Sequence, residues 1–240
     1  MKTILAAVAA LAVASSTASA QTSPFSTDHF KCYLPENSTQ VQPAVVQLLD
    51  QFGPSAAVVG NIFRFCNPAR KSHNGVLTPI QAPDDHLTLH QISPQPLVTR
   101  TVQIRNQFGE QQLLTRDARV LAVPTQKRPH GPVQGLGHFE CYEAQGQLVD
   151  EPVGLQDQFF DSQHRVGRPV LFCNPVQKWH DGAFTPIANP DDHLTCYSIT
   201  RQPFARVTDI RNQFGDLRLE TSFADLMCVP TKKLSWQVID

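Results

Sequence analysis

Two sets of side chains in this sequence carry the donor types that hold metal ions. His73, Asp84, Asp85 and His86 form one set, and His180, Asp191, Asp192 and His193 repeat it at identical spacing. Imidazole nitrogens and carboxylate oxygens suit zinc, and carboxylates with carbonyls suit calcium. A metal held there would activate water, so a metal-dependent hydrolase would rely on His180, Asp192 and His193. The same residues have a plainer use. Pro-Asp-Asp is a turn whose carboxylates accept backbone hydrogen bonds, and histidines recur elsewhere in the repeat without a paired aspartate set. The expectation is therefore no cofactor, with zinc or calcium as the alternative.

Other chemistry is sparser. Trp179 and Trp236 offer rings that can stack on a sugar. Trp179 has Ser72 as its counterpart, so a carbohydrate-binding site on it would belong to one half of the chain only. Asp50, Asn106, Asp157 and Asn212 each precede Gln-Phe. Asn cannot act as a general acid, so a catalytic role cannot be common to all four, whereas a hydrogen-bonding turn role fits both side chains. Lys71, Lys127, Lys178 and Lys233 recur at one repeat position and are expected as solvated surface charge. Asn37-Ser38-Thr39 is a glycosylation sequon in a eukaryotic host. The sequence contains no Gly-x-Ser-x-Gly, His-Glu-x-x-His, phosphate-cradling loop or Rossmann fingerprint.

The elements that position these residues come from repetition. A quarter opens with His29-Phe30-Lys31-Cys32-Tyr33, and the opening recurs at His86-Leu87-Thr88-Leu89-His90, His138-Phe139-Glu140-Cys141-Tyr142 and His193-Leu194-Thr195-Cys196-Tyr197. Each opening is followed by the Asp/Asn-Gln-Phe mark and then by a closing mark: Cys66-Asn67-Pro68, Ala122-Val123-Pro124, Cys173-Asn174-Pro175 and Cys228-Val229-Pro230. Three marks in one order, four times, define four quarters.

The cysteines follow the same grammar. Quarters one, three and four hold one cysteine in the opening and one in the closing mark, whereas quarter two has Leu89 and Ala122 at those places. Joint loss is what a disulfide predicts, because a lone thiol would be left in an oxidising compartment. The repeat thus selects Cys32 with Cys66, Cys141 with Cys173, and Cys196 with Cys228. Unpaired thiols or zinc ligands predict no joint loss, and no Cys-x-x-Cys spacing is present.

Alternation puts Phe30 and Cys32 on one face of a strand and His29, Lys31 and Tyr33 on the other. Val58, Ile62 and Phe63 to Cys66 form a second apolar run, expected to stop at Asn-Pro. Gly53, Gly109 and Gly215 follow the Gln-Phe mark as turns, and quarter three, with Phe160 instead, should differ. Asn74-Gly75 and Asp181-Gly182 mark hairpins inside connectors of equal length. No segment sustains a helical period, although VVQLLDQF could form one turn. The fold class is all-β: two tandem sandwich or barrel domains, each of two pseudo-symmetric quarters, with a four-bladed propeller as the alternative. Residues 21–127 would form the first domain, 128–136 (RPHGPVQGL) a linker and 137–240 the second.

Residues 1–20 read as a signal peptide: Lys2, an apolar stretch from Ile4 to about Val13, then Ala18-Ser19-Ala20. Export to the periplasm or medium follows, and no later segment could span a bilayer. Lys and Arg number 20 against 21 Asp and Glu, which gives no support to a nucleic-acid partner. Charged residues make up 17% of the chain and Pro 19 of its 240 residues, a loop-rich β composition.

The succession HFKCY, LLDQFG, FCNPARK, PDDHLTCY, RNQFG and MCVPTKK resembles a family of uncharacterised secreted bacterial tandem-repeat proteins. The likeness spans essentially the whole chain after residue 20. It implies export, repetition and cysteine bridges, and it carries over no catalytic or binding residue. Leu89, His90, Ala122 and Phe160 depart from the pattern. The function expected is an exported, disulfide-stabilised, non-enzymatic binding or structural module facing an extracellular or cell-surface partner. The metal-dependent hydrolase and the carbohydrate-binding module are the alternatives.

Overall fold

The computed structural model describes residues 25–239; the expected signal peptide, residues 1–20, lies outside them. The described residues form thirteen strands. They are β1 (His29–Ser38), β2 (Ala44–Asp50), β3 (Gly53–His73), β4 (Val76–Thr78), β5 (His86–Ile92), β6 (Arg100–Asn106) and β7 (Gly109–Lys127). The remainder are β8 (His138–Gln145), β9 (Pro152–Gln156), β10 (Asp161–His180), β11 (Ala183–Thr185), β12 (His193–Asn212) and β13 (Gly215–Val238). Among the described residues no helix is long and apolar enough to cross a membrane.

The all-β class holds, and the architecture is barrel-like. Each quarter contributes an opening strand (β1, β5, β8 and the start of β12) and a closing strand (the later parts of β3, β7, β10 and β13). Their antiparallel pairings run in a cycle, β1–β3–β5–β7–β8–β10–β12–β13 and back to β1. The sheet is one rather than one per half, because β7–β8 and β13–β1 join the halves. Residues 128–136 run as a loop between β7 and β8.

Inside the ring, Cys32 pairs with Cys66, Leu89 with Ala122, Cys141 with Cys173 and Cys196 with Cys228, all directly opposite one another. The three cysteine pairs are bridged as the repeat predicts. One interior layer thus consists of six half-cystines plus a large and a small apolar side chain, with Phe30, Leu87, Phe139 and Leu194 packed next to it. Leu89 is 1% exposed and Ala122 1%, so quarter two fills the bridge's space by packing.

Several local expectations are corrected. The closing strands run through Asn-Pro instead of stopping there, with Pro68 opposite Phe30 and Pro175 opposite Phe139. The ladder to the following quarter has ended by then, at Cys66↔Leu87, Ala122↔Phe139 and Cys173↔Leu194. A residue without an N–H therefore interrupts no pairing on that side. VVQLLD belongs to β2, where Val46 and Leu48 alternate inward, and makes no helical turn. The NG and DG turns hold as expected, with positive φ at Asn74, Gly75, Asp181 and Gly182.

The opening strands are buried on both faces, which alternation alone does not foresee. The reason lies in the Gln-Phe hairpins, each of which crosses to the quarter two places on. Quarter one's β2 pairs with the end of β10, and quarter two's β6 with the end of β13. Quarter three's β9 pairs with the end of β3, and quarter four's tip with the end of β7. Each Asp or Asn docks there. Asp50 Oδ2 accepts from Tyr142 Oη (2.9 Å) and Asn174 Nδ2 (2.8 Å), and Asp157 Oδ2 accepts from Tyr33 Oη (2.8 Å) and Asn67 Nδ2 (3.0 Å). Asn106 Nδ2 instead donates to Tyr197 Oη (2.9 Å) and Thr231 Oγ1 (3.3 Å), and Asn212 Nδ2 to His90 Nε2 (3.1 Å) and Thr125 Oγ1 (3.4 Å).

The choice between Asp and Asn follows from the socket. Asn174 and Asn67 present N–H donors, so an acceptor-only carboxylate fits. Thr125 and Thr231 give their hydroxyl protons to other oxygens, so the tip must bring a donor. The expected turn role also holds: Asp50 Oδ1 accepts from Phe52 N and Asn106 Oδ1 from Phe108 N.

Candidate functional site

The residue before the opening histidine is Asp28, Asp85 and Asp192 in quarters one, two and four, and Gly137 in quarter three. These positions lie at one end of the ring, where the opening strands begin. Both carboxylate oxygens of Asp28 accept from Gln81 N (2.9 and 3.1 Å), and Oδ2 also from Ala82 N (2.9 Å). Asp85 Oδ1 accepts from Gln134 N at 2.6 Å. Asp192 Oδ2 accepts from Thr27 Oγ1 at 2.9 Å and from Ser26 Oγ. Three carboxylates thus tie the segment before β1, the two connectors and the inter-half linker to one another. At Gly137 a Cβ would stand 3.3 Å from Ala188 Cβ, so the second connector passes close against the linker there.

These loops enclose a recess of about 250 Å³. Phe30 and Phe139 line it from the ring, and Asp28, Asp85, Asp192 and Asn189 are among its polar lining. Burial raises the pKa of Asp28 and of Asp85, and neighbouring Asp28 and Asp84 reinforce the rise at Asp85. Carboxylates crowded in a confined volume repel an anion and favour a neutral or positive guest.

The residues with metal-ligand chemistry are dispersed, apart from Asp85 and Asp192. His73 Nε2 is bonded to Glu151, and its ring meets Phe108 edge-on. Asp84 lies 3.5 Å from His130. His86 stacks on Phe65 and His193 on Phe172. His180 Nδ1 sits 3.4 Å from the Val45 carbonyl, and its ring packs against Phe214. The Asp191 carbonyl accepts from His193 N at 3.2 Å. Among the described residues, no group of three or more His, Cys, Asp or Glu side chains is placed to hold a metal ion. Trp179 packs on Phe184 at 4.9 Å, a partly exposed pair of rings on the β10–β11 hairpin.

The recurrent lysines correct another expectation. Lys71, Lys127 and Lys178 are buried rather than solvated, because the crossed hairpins cover them. Lys127 Nζ reaches Asn67 Oδ1 at 3.4 Å and Lys233 Nζ reaches Asn174 Oδ1 at 3.0 Å, each also over a tip phenylalanine. Burial lowers Lys71, Lys127 and Lys233 to about 8. At the third opening position, quarter one carries Lys31 and quarter three Glu140, both 0% exposed. Burial, reinforced by neighbouring Asp50, pushes Glu140 up to about 7.

Asp28 is the recess residue that the paired His/Asp sets leave out. The signal for it was the dipeptide Asp-His, which opens three of the four quarters.

No curated protein and no solved structure matches the chain. A family model described as a repeat of unknown function (DUF7450) matches twice, over residues 3–123 and 90–230. The two matches cover both halves of the chain, in keeping with the repetition seen in the ring, and the chain belongs to that family of repeats of unknown function.

Proposed function

We propose that this chain is an exported, non-enzymatic binding protein whose ligand seat is the loop-framed recess at the start of the opening strands. The observation that carries this reading is the convergence of Asp28, Asp85 and Asp192 around a cavity lined from the ring by Phe30 and Phe139. Loops on a rigid sheet scaffold commonly carry binding, and here the scaffold is braced by three disulfides. A small neutral or cationic ligand with an apolar portion suits the lining. Export is supported by the leader-like residues 1–20 and by bridges of the kind that persist in oxidising compartments.

Thermal-shift titration of the mature protein with choline, glucose and acetate tests the seat. A saturable rise with choline or glucose, absent with acetate and lost in Asp85→Asn together with Asp192→Asn, is expected. No saturable shift with choline or glucose, or an equal shift in the double variant, removes the recess as the seat. Expression with the native leader in a bacterial host, followed by fractionation and amino-terminal sequencing, tests export. The expected product begins at Gln21 outside the cytoplasm, and a retained leader in the cytoplasm counts against it.

A further inference from the structure

Quarter three departs from the others just after its tip, where Phe160 replaces glycine and the strand continues as Asp161-Ser162-Gln163-His164. Residues two apart on a strand share a face, and Ser162 Oγ lies 2.8 Å from His164 Nε2. His164 Nδ1 lies 2.8 Å from the Thr200 carbonyl. A carbonyl can only accept, so Nδ1 carries the proton and Nε2 turns its lone pair to the serine hydroxyl. Lys31, reaching over from quarter one, donates to the same Oγ at 2.6 Å and to the Phe160 carbonyl at 3.1 Å. Burial lowers the pKa of His164, which favours the neutral imidazole, the form with a lone pair free to accept a proton.

A hydroxyl with a base on its proton and an ammonium on its oxygen has the arrangement of an activated nucleophile. Ser162 is only half-buried, and Phe160 and Phe204, also half-exposed, stack at 4.6 Å beside it. Lys31 Nζ stands 3.5 Å from the centre of the Phe160 ring, so the aromatic pair adjoins the hydroxyl. Quarter one provides an internal contrast. Ser55 holds the corresponding place, with Glu140 where Lys31 would be and Ala57 where His164 would be, and its hydroxyl donates to Glu140 Oε1 at 2.9 Å.

We propose that Ser162 is an acyl-acceptor site that takes one acyl group from an activated ester with an aromatic leaving group. Ser162 Oγ bonds to the ester carbonyl carbon while its proton passes to His164 Nε2. The bond from that carbon to the leaving oxygen then breaks, and the imidazolium protonates the departing aryloxide. Ester and serine become acylserine and phenol, with no other reactant. The modification is stoichiometric and goes beyond the proposed binding role without requiring turnover.

The test is incubation of the folded mature protein with p-nitrophenyl acetate. A burst of one equivalent of nitrophenol product is expected, with the acetyl group mapped by peptide mass spectrometry to Ser162 and not to Ser55. The burst should vanish in Ser162→Ala and slow about a hundredfold in His164→Gln, both checked for an unchanged thermal midpoint. The mapping on the unaltered protein decides the matter even if His164→Gln fails to fold. No burst, an adduct on Lys31 or other lysines, or acetylation of Ser55 at the same rate overturns the proposal.

Discussion

At the scale of single residues, charge has been moved inside and its ionisation altered. Glu140 is fully buried, Asp50 is its charged neighbour, and burial with that neighbour raises its pKa to about 7 from an ordinary 4.5. The native chain therefore holds a proton that the unfolded chain has released between those values. Stability from this group is whole below about 4.5 and is lost as pH rises through 7. Glu140→Gln should remove that slope: relative to the wild type, the variant should gain about 2 kcal/mol on going from pH 5 to pH 8, read from urea unfolding at both pH values. An unchanged difference would place the proton elsewhere. The buried histidines act in the opposite sense. Burial lowers His29, His86 and His193 to about 3 and His90 and His138 to about 4. Their contribution is present above 6.5 and is lost as pH falls through 4 and then 3. A thermal midpoint that falls steeply below pH 5 in the wild type is the expected outcome, and one that is flat to pH 3 would contradict the burial of these rings.

At the scale of elements, the crossed hairpin is the unit of stability. Its tip carries a donor or an acceptor according to the socket it meets, so tip and socket are coupled across the ring. Asp50→Asn turns a donor toward the donors of Tyr142 and Asn174 and should cost about 2 kcal/mol. Adding Asn174→Asp restores an acceptor opposite the new amide, and the pair should recover about half of that loss in a double-mutant cycle. Strict additivity would deny the coupling. The opening and closing strands make a second testable unit. Leu89 and Ala122 stand where the other quarters have bridged cysteines, directly opposite one another. Leu89→Cys with Ala122→Cys should form a fourth bridge, seen as two missing thiols by mass. The net gain should be about 1 kcal/mol, since the chain-entropy benefit of about 3.7 kcal/mol is reduced by the lost packing of leucine.

For the whole molecule, the cycle of strand pairings runs through all four quarters, and opposite quarters lock into each other. Each half nevertheless contains complementary partners for its own tips. The first half holds Asp50 together with Tyr33 and Asn67, and Asn106 together with His90 and Thr125. Two copies of residues 21–127 can therefore supply every tip-to-socket bond seen across the intact ring. Expressed alone, that fragment should sediment as a dimer with a cooperative, concentration-dependent unfolding transition. A folded monomer would show that a half closes by itself.

Much of this was legible in the chain. The four quarters, the all-β class and the three bridges follow from recurring side chains, because a repeat forces equivalent positions into equivalent surroundings and the joint loss at Leu89 and Ala122 exposes the pairing. Alternation also assigned Phe30 and Cys32 to one interior face, since side-chain direction along a strand is a local property. What alternation could not register is that the other face, with Lys31 and Tyr33, is buried as well. That depends on hairpins arriving from a quarter two places on, a contact between residues such as Tyr33 and Asp157 that lie far apart in the chain. The same long-range closure decided that the halves share one ring, that Lys71 and Lys127 are interior, and that Asp28 joins Asp85 and Asp192 while His86 and His193 face aromatic rings. The sequence by itself determined which residues are equivalent. Only the tertiary structure decided which equivalent residues meet, because meeting is set by how strands close around a shared core and local pattern carries no record of that closure.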